Sequence, residues 1–175
     1  GNPATEPQLL RRVQGTFTVP RYLTGTGAPG SRFTRGPDGL PVRNGDIQAS
    51  FICNIPRSAV AANGTVVPSR LGVYGHGLLG SNGEVNAGNV QDMSLEHNFM
   101  FCATNWIGMA NEDIPNAVAI LGNFSNFPTL ADRVQQGILN TLFLARSGTG
   151  LTHCSKPMGV INEKPEVVFT FQRDD

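Results

Sequence analysis

Short apolar runs alternate along the chain with long polar connections rich in glycine and proline. Residues 13–19 (VQGTFTV) switch between apolar and polar at every step, the period of a half-buried strand. Residues 47–55 (IQASFICNI) predict a second strand, halted by Pro56. Asn63-Gly64 marks a reversal, and 70–74 (RLGVY) predict a short third strand. Residues 85–97 can form a short helix with Val90, Met93 and Leu95 partly on one face. Residues 99–106 (FMFCATNW) are apolar on both faces, as a central strand requires. The clearest helix is 129–146 (TLADRVQQGILNTLFLAR). Leu130, Val134, Ile138, Leu139, Leu142 and Leu144 give it a broad apolar stripe. Thr129 is its expected N-cap, Asp132 stands in for a capping-box glutamate, and Gly148 is the expected terminator. Residues 166–172 (EVVFTFQ) read as a fifth strand. Segments 23–44 and 107–128 read as irregular, the second holding a short apolar segment at 117–121 bounded by Pro115 and Pro128.

Strands followed by alternating strand and helix predict an α/β fold: a mostly parallel central sheet with flanking helices and antiparallel strands at one edge. Residues 1–12 read as a flexible lead-in, 13–146 as the folded body, and 147–175 as a divergent tail holding one strand. The 175 residues fit a single domain of roughly 100–200 residues. Thirteen Lys and Arg balance thirteen Asp and Glu. That leaves no basic excess for nucleic acid and no polybasic anchor for a membrane surface. No apolar run approaches the roughly 18 residues of a membrane span. The chain opens on Gly1-Asn2-Pro3 without a signal segment, which reads as a processed product or a piece of a longer frame.

The three cysteines lack CxxC spacing, which argues against a zinc site. Cys53 and Cys102 both sit in apolar strand-like runs. Two readings stay open: buried free thiols acting as small hydrophobes, or a disulfide between adjacent strands. The disulfide would go with an oxidising compartment, secreted or periplasmic. Asn63-Gly64-Thr65 and Asn123-Phe124-Ser125 fit the N-glycosylation pattern, which is too short to add much.

The third strand runs into Gly75-His76-Gly77-Leu78-Leu79-Gly80-Ser81. Glycines let a backbone turn sharply. Free N–H groups in such a turn can cradle an anion or a developing oxyanion. One reading is a plain tight turn. A second is a phosphate loop of the GxGxxG kind. It lacks a Gly-Lys-Ser/Thr ending, and Asn105-Trp106 stand where an acidic residue would be needed. The third is the oxyanion loop of a serine hydrolase.

His76-Gly77-Leu78-Leu79-Gly80 resembles the HG loop after the third strand of bacterial lipases and other α/β-hydrolases. Residues 51–56 (FICNIP), 74–80 (YGHGLLG), 103–109 (ATNWIGM) and 130–137 (LADRVQQG), taken in order, resemble large bacterial α/β-hydrolase-like proteins over about residues 13–146. The resemblance implies the first half of an α/β-hydrolase-like fold and serine-type hydrolysis of a small carboxylic ester, with no cofactor and no metal. It makes the Leu78 N–H one oxyanion donor, with the Leu79 N–H as a further candidate. The partner donor would follow the nucleophile. Gly75, Gly77 and Gly80 shape the loop, and His76 in such loops bonds backbone.

None of the nine serines has glycine at both −2 and +2, so a GxSxG elbow is missing. Because a triad is recognised by geometry rather than order, local candidates remain: Ser81 as nucleophile, His76 or His97 as base, Asp92 or Glu96 to orient it. Each has a plainer reading. Ser81 suits a turn, and His97 suits a helix C-terminus. Asp132 and Arg133 suit a cap and a solvated or ion-paired helix face. His153 and Cys154 read as loop residues. Trp106 either packs behind the loop or contacts substrate. Phe124 and Phe127 belong to the core or to a lid. Weak or absent turnover is expected of the chain alone. The alternative is a non-catalytic module whose exposed sheet edge pairs with a second copy or a complementary chain.

Overall fold

In a computed structural model, residues 5–151 and 170–171 are described, with side chains for residues 5–147. The central strand β4 (Phe99–Thr104) is apolar on both faces because both faces are covered. It pairs with β3 (Arg70–Tyr74) on one side and with β2 (Asp46–Pro56) on the other. β1 (Leu9–Pro20) continues the sheet beyond β2, and a two-residue β5 (Thr170–Phe171) pairs with β1. The order is β3-β4-β2-β1-β5.

Side chains of alternating strand positions meet two different layers. Phe17 and Val19 of β1, Ala49, Phe51 and Cys53 of β2, and Met100 and Cys102 of β4 are buried with Leu144 of α3 (Phe127–Leu151). The other face buries Ala103 against Val85, in a 3-10 segment at Asn82–Asn86, and Val90 of α1 (Gly88–His97). Ile52, Tyr74 and Phe101 pack around that cluster.

The expectation of a mostly parallel sheet is corrected. Only β3 and β4 run parallel; β2–β4, β1–β2 and β1–β5 are all antiparallel. A parallel neighbour needs a long crossover. The described residues contain one, through Asn82–Asn86 and α1, between β3 and β4. The long helix α3 does not lead to a parallel partner: Thr170–Phe171, inside the expected fifth strand, pairs antiparallel with β1. The rest of that segment, with His153 and Cys154, lies outside the described residues.

The two prolines expected to bound a short apolar segment of an irregular stretch sit in the first turns of helices. Pro115 is near the start of α2 (Ile114–Gly122), and Pro128 is the second residue of α3. The first turn's N–H groups have no intrahelical acceptor, so proline is tolerated there. α3 therefore starts before Thr129, whose hydroxyl donates to the Asn126 carbonyl at 2.7 Å. It also runs through Gly148. Phe124 and Phe127 are exposed rather than part of the core.

α3 carries a buried polar stripe. Arg133 is 3% exposed. Its Nε donates to Asp113 Oδ1 at 2.5 Å and its Nη2 to Glu112 Oε1 at 2.5 Å, while Nη1 donates to the Gly27 carbonyl. Asp113 is fully buried, and its second oxygen accepts the Gly108 and Ala110 N–H groups at 2.7 and 3.2 Å. Asp132 accepts from Arg32 and from the Phe33 N–H, so it holds the 23–44 loop rather than capping a helix. Removing one member of a buried pair strands a charge. Asp113→Ala should lower the unfolding free energy by about 3–5 kcal/mol. Glu112→Ala, at the exposed end of the network, should cost under about 1 kcal/mol. Urea unfolding checks both, and equal losses would contradict this account.

Cys53 of β2 and Cys102 of β4 face each other directly in the ladder and form a disulfide, with Cα atoms 4.0 Å apart. The two are separated by 49 residues in sequence. Chain-entropy arguments assign a loop of that size about 4 kcal/mol of stabilisation. Urea unfolding with and without reductant should differ by about that amount. An unchanged midpoint would show that the crosslink does not constrain the unfolded chain.

Candidate functional site

The loop after β3 is held at the His76 ring and at the Gly77, Leu79 and Gly80 amides. The His76 side chain is buried. Its Nε2 accepts the Trp106 N–H at 2.9 Å, and its Nδ1 lies 2.8 Å from the Gly77 carbonyl. An acceptor at Nε2 leaves the proton on Nδ1, which donates to that carbonyl. Both ring nitrogens are therefore committed to backbone, and neither is left to take a proton from a nucleophile.

Residues 77–80 form a β-turn closed by the Gly80 N–H on the Gly77 carbonyl at 3.0 Å. Leu79, the third residue of that turn, has φ +57°, the left-handed value of a type II turn where glycine or asparagine is usual. Its N–H donates to the Met109 carbonyl at 2.7 Å, and the Gly80 carbonyl accepts the Asn111 N–H at 2.8 Å. The Gly77 N–H donates to Glu84 Oε2 at 2.9 Å. A Cβ on Gly80 would lie 1.8 Å from Glu84 Oε1, so glycine leaves room for that carboxylate.

One amide in the turn remains. Leu78 is 77% exposed, and among the described residues its N–H has no hydrogen-bond partner. Leu79, the further donor candidate, has its N–H committed to Met109. The arrangement thus presents one N–H to solvent from a loop whose neighbouring amides are fixed.

Trp106 sits behind this loop. Its indole Nε1–H donates to the Val134 carbonyl at 3.4 Å. A Cβ on Gly137 of α3 would approach its ring to 2.4 Å, and one on Gly75 would touch it at 3.8 Å. The ring therefore bridges the loop and α3, and the absence of a side chain at Gly137 lets the helix close on it.

The serine and histidine candidates are not brought together. Ser81 caps the 3-10 segment, its hydroxyl accepting the Gly83 N–H at 3.3 Å. His97 ends α1 and lies 3.9 Å from its neighbour Glu96. Asp92 accepts from the Gln8 side chain at 2.6 Å. Among the described residues no serine hydroxyl is hydrogen-bonded to a histidine ring, and no group of His, Cys, Asp and Glu could hold a metal ion. The loop's underpinnings include residues that sequence reasoning missed. Glu84 follows Ser81 at the Ser-x-x-Glu spacing of a capping box, which is its legible signal. Asn105 Oδ1 accepts the Asn82 N–H at 2.8 Å, and buried Asn54 donates to the Val85 carbonyl at 3.1 Å.

Neither the models of known protein families, nor the curated proteins, nor the solved structures contain a match to this chain.

Because Nε2 must accept, long-range proton–nitrogen NMR should find the His76 ring proton on Nδ1 and none on Nε2. A proton on Nε2 would break the Trp106 bond and contradict the geometry.

Proposed function

We propose that this chain is a serine-type carboxylic-ester hydrolase-like domain that supplies one oxyanion donor, the Leu78 N–H. The observation carrying this reading is the single unpartnered amide in a turn whose neighbours are all hydrogen-bonded. A donor aimed at a developing oxyanion stabilises the transition state most when it need not reorganise. The loop follows β3 and leads toward α1, the position from which such hydrolases draw a donor. The resemblance of His76-Gly77-Leu78-Leu79-Gly80 to HG loops supports the same chemistry. The committed nitrogens of His76 and the capping role of Ser81 argue against a local triad. The chain alone is therefore expected to turn over esters weakly or not at all.

A second reading, a non-catalytic module that pairs with another copy or with a complementary chain, is favoured by one observation. β3 ends the strand order, so one of its edges has no neighbour among the described strands, and Val73 on it is exposed. An open edge of this kind is a template for further pairing. No described helix is long and apolar enough to cross a membrane.

Turnover of short p-nitrophenyl esters, with a serine-directed phosphonate and intact mass, tests the first reading. Little turnover and no adduct are expected of the isolated chain. Efficient turnover with a single adduct at Ser81 would overturn the assignment of that serine as a cap. Appearance of turnover only on adding a chain that carries an elbow serine would support the donor role. That turnover should fall about 10²–10³-fold on losing the donor.

A further inference from the structure

We propose that a cavity between the start of β2, the end of β4, the 26–29 loop and α3 binds a small uncharged polyhydroxylated molecule, of glycerol to monosaccharide size. The inference does not rest on the ester reading, because none of residues 75–81 lines this space. The cavity holds about 350 Å³, at the lower end of the roughly 300–1,000 Å³ typical of small-molecule sites.

Its wall contains a buried amide with donors to spare. Asn140 of α3 is 1% exposed and lines the cavity. Its orientation is set by a chain of bonds. The Tyr22 N–H donates to Gln136 Oε1 at 2.9 Å, which fixes Gln136 Nε2 as a donor. That nitrogen donates to Asn140 Oδ1 at 3.1 Å and to the Pro20 carbonyl at 3.0 Å. The Asn140 amide nitrogen is thereby turned away from Gln136, and among the described residues it has no acceptor. Thr104, at the end of β4 on the same wall, is 4% exposed, and among the described residues its hydroxyl has no partner. Asn105 beside it spends its oxygen on the Asn82 N–H, and among the described residues its amide N–H groups have no acceptor. Buried polar groups are ordinarily satisfied, so a buried hydroxyl without a partner, beside amide donors open to the cavity, calls for an occupant.

The wall's one lining cation is already paired within the protein. Arg133 is held by Asp113 and Glu112, so the lining offers no free cation. What remains is a set of amide donors, a hydroxyl that donates or accepts, and the rim carboxylate of Glu112. Hydroxyl groups match such a set because each both donates and accepts. Ile47, Ala49 and Ile107 give the carbon skeleton an apolar surface.

The test is a titration of the isotope-labelled full chain with glycerol and with D-glucose, followed by proton–nitrogen NMR. The expected result is a saturable shift with at least one probe, centred on the Asn140 side-chain amide and the Thr104 backbone amide. Thr104→Val keeps the side-chain shape and removes the hydroxyl. It should weaken binding at least five-fold without lowering the thermal midpoint, since the hydroxyl has no partner to lose. Asn105→Asp keeps the oxygen that accepts the Asn82 N–H, removes the amide donors, and gives the same reading should Thr104→Val fail to fold. Absence of a saturable shift with both probes would overturn the proposal, as would shifts centred elsewhere or wild-type affinity in the variants.

Discussion

The hydrogen bond from the Trp106 N–H to the His76 ring is the contact on which the candidate site depends. It joins the residue just beyond β4 to the loop just beyond β3, and the ring's other nitrogen ties down the next carbonyl in that loop. A buried imidazole with two backbone partners behaves as a rigid strut. Losing either partner would leave a polar atom unsatisfied. Around it, Met109, Asn111 and Glu84 take up the remaining polar groups of the turn. The exposed Leu78 amide is what this arrangement leaves over.

The strut needs a fixed base, and α3 supplies it. Its apolar side packs Leu144 into the core on one face of the sheet. Its polar stripe of Asp132, Arg133, Gln136 and Asn140 grips the connections that carry no regular structure of their own. Those are the stretch from Pro20 to Phe33 and the turn around Gly108 and Asp113. At Gly137 the helix has no side chain, so Trp106 and Ile107 can lie against its backbone. Gly108, at φ +90° and with no room for a Cβ against Val134, closes the same contact from the other side. The Cys53–Cys102 crosslink ties β2 to β4 beneath this layer.

The strands were legible because their alternation is set by one local constraint, the burial of every second side chain. β4 was legible as central because Met100 and Cys102 need one core while Phe101 and Ala103 need another. Strand direction was not legible. Periodicity reports which faces are buried and is silent on which neighbour a strand pairs with, and the antiparallel contacts of β2 with β4 join distant segments. α2 was hidden because Pro115 reads as a breaker unless its place in the first turn is known. The stripe on α3 was legible in part: Asp132 and Arg133 form the ion-paired face that was one of its two readings, and only the folded 23–44 loop and the Asp113 turn bury them. For the site, glycine and histidine spacing marked the loop. The fate of each amide was beyond sequence reasoning, because its acceptors come from Met109 and from the carboxylate of Glu84.

The claim at the centre of this account is that one amide of the turn is free while its neighbours are bound. Residue-resolved hydrogen exchange on the folded chain measures this directly, since exchange reports the opening of individual hydrogen bonds. The Leu79 and Gly80 amides should be protected, and the Leu78 amide should exchange at close to the rate of an exposed peptide. Protection of Leu78 equal to that of Leu79, or none at any of the three, would mean that the turn does not present a fixed donor.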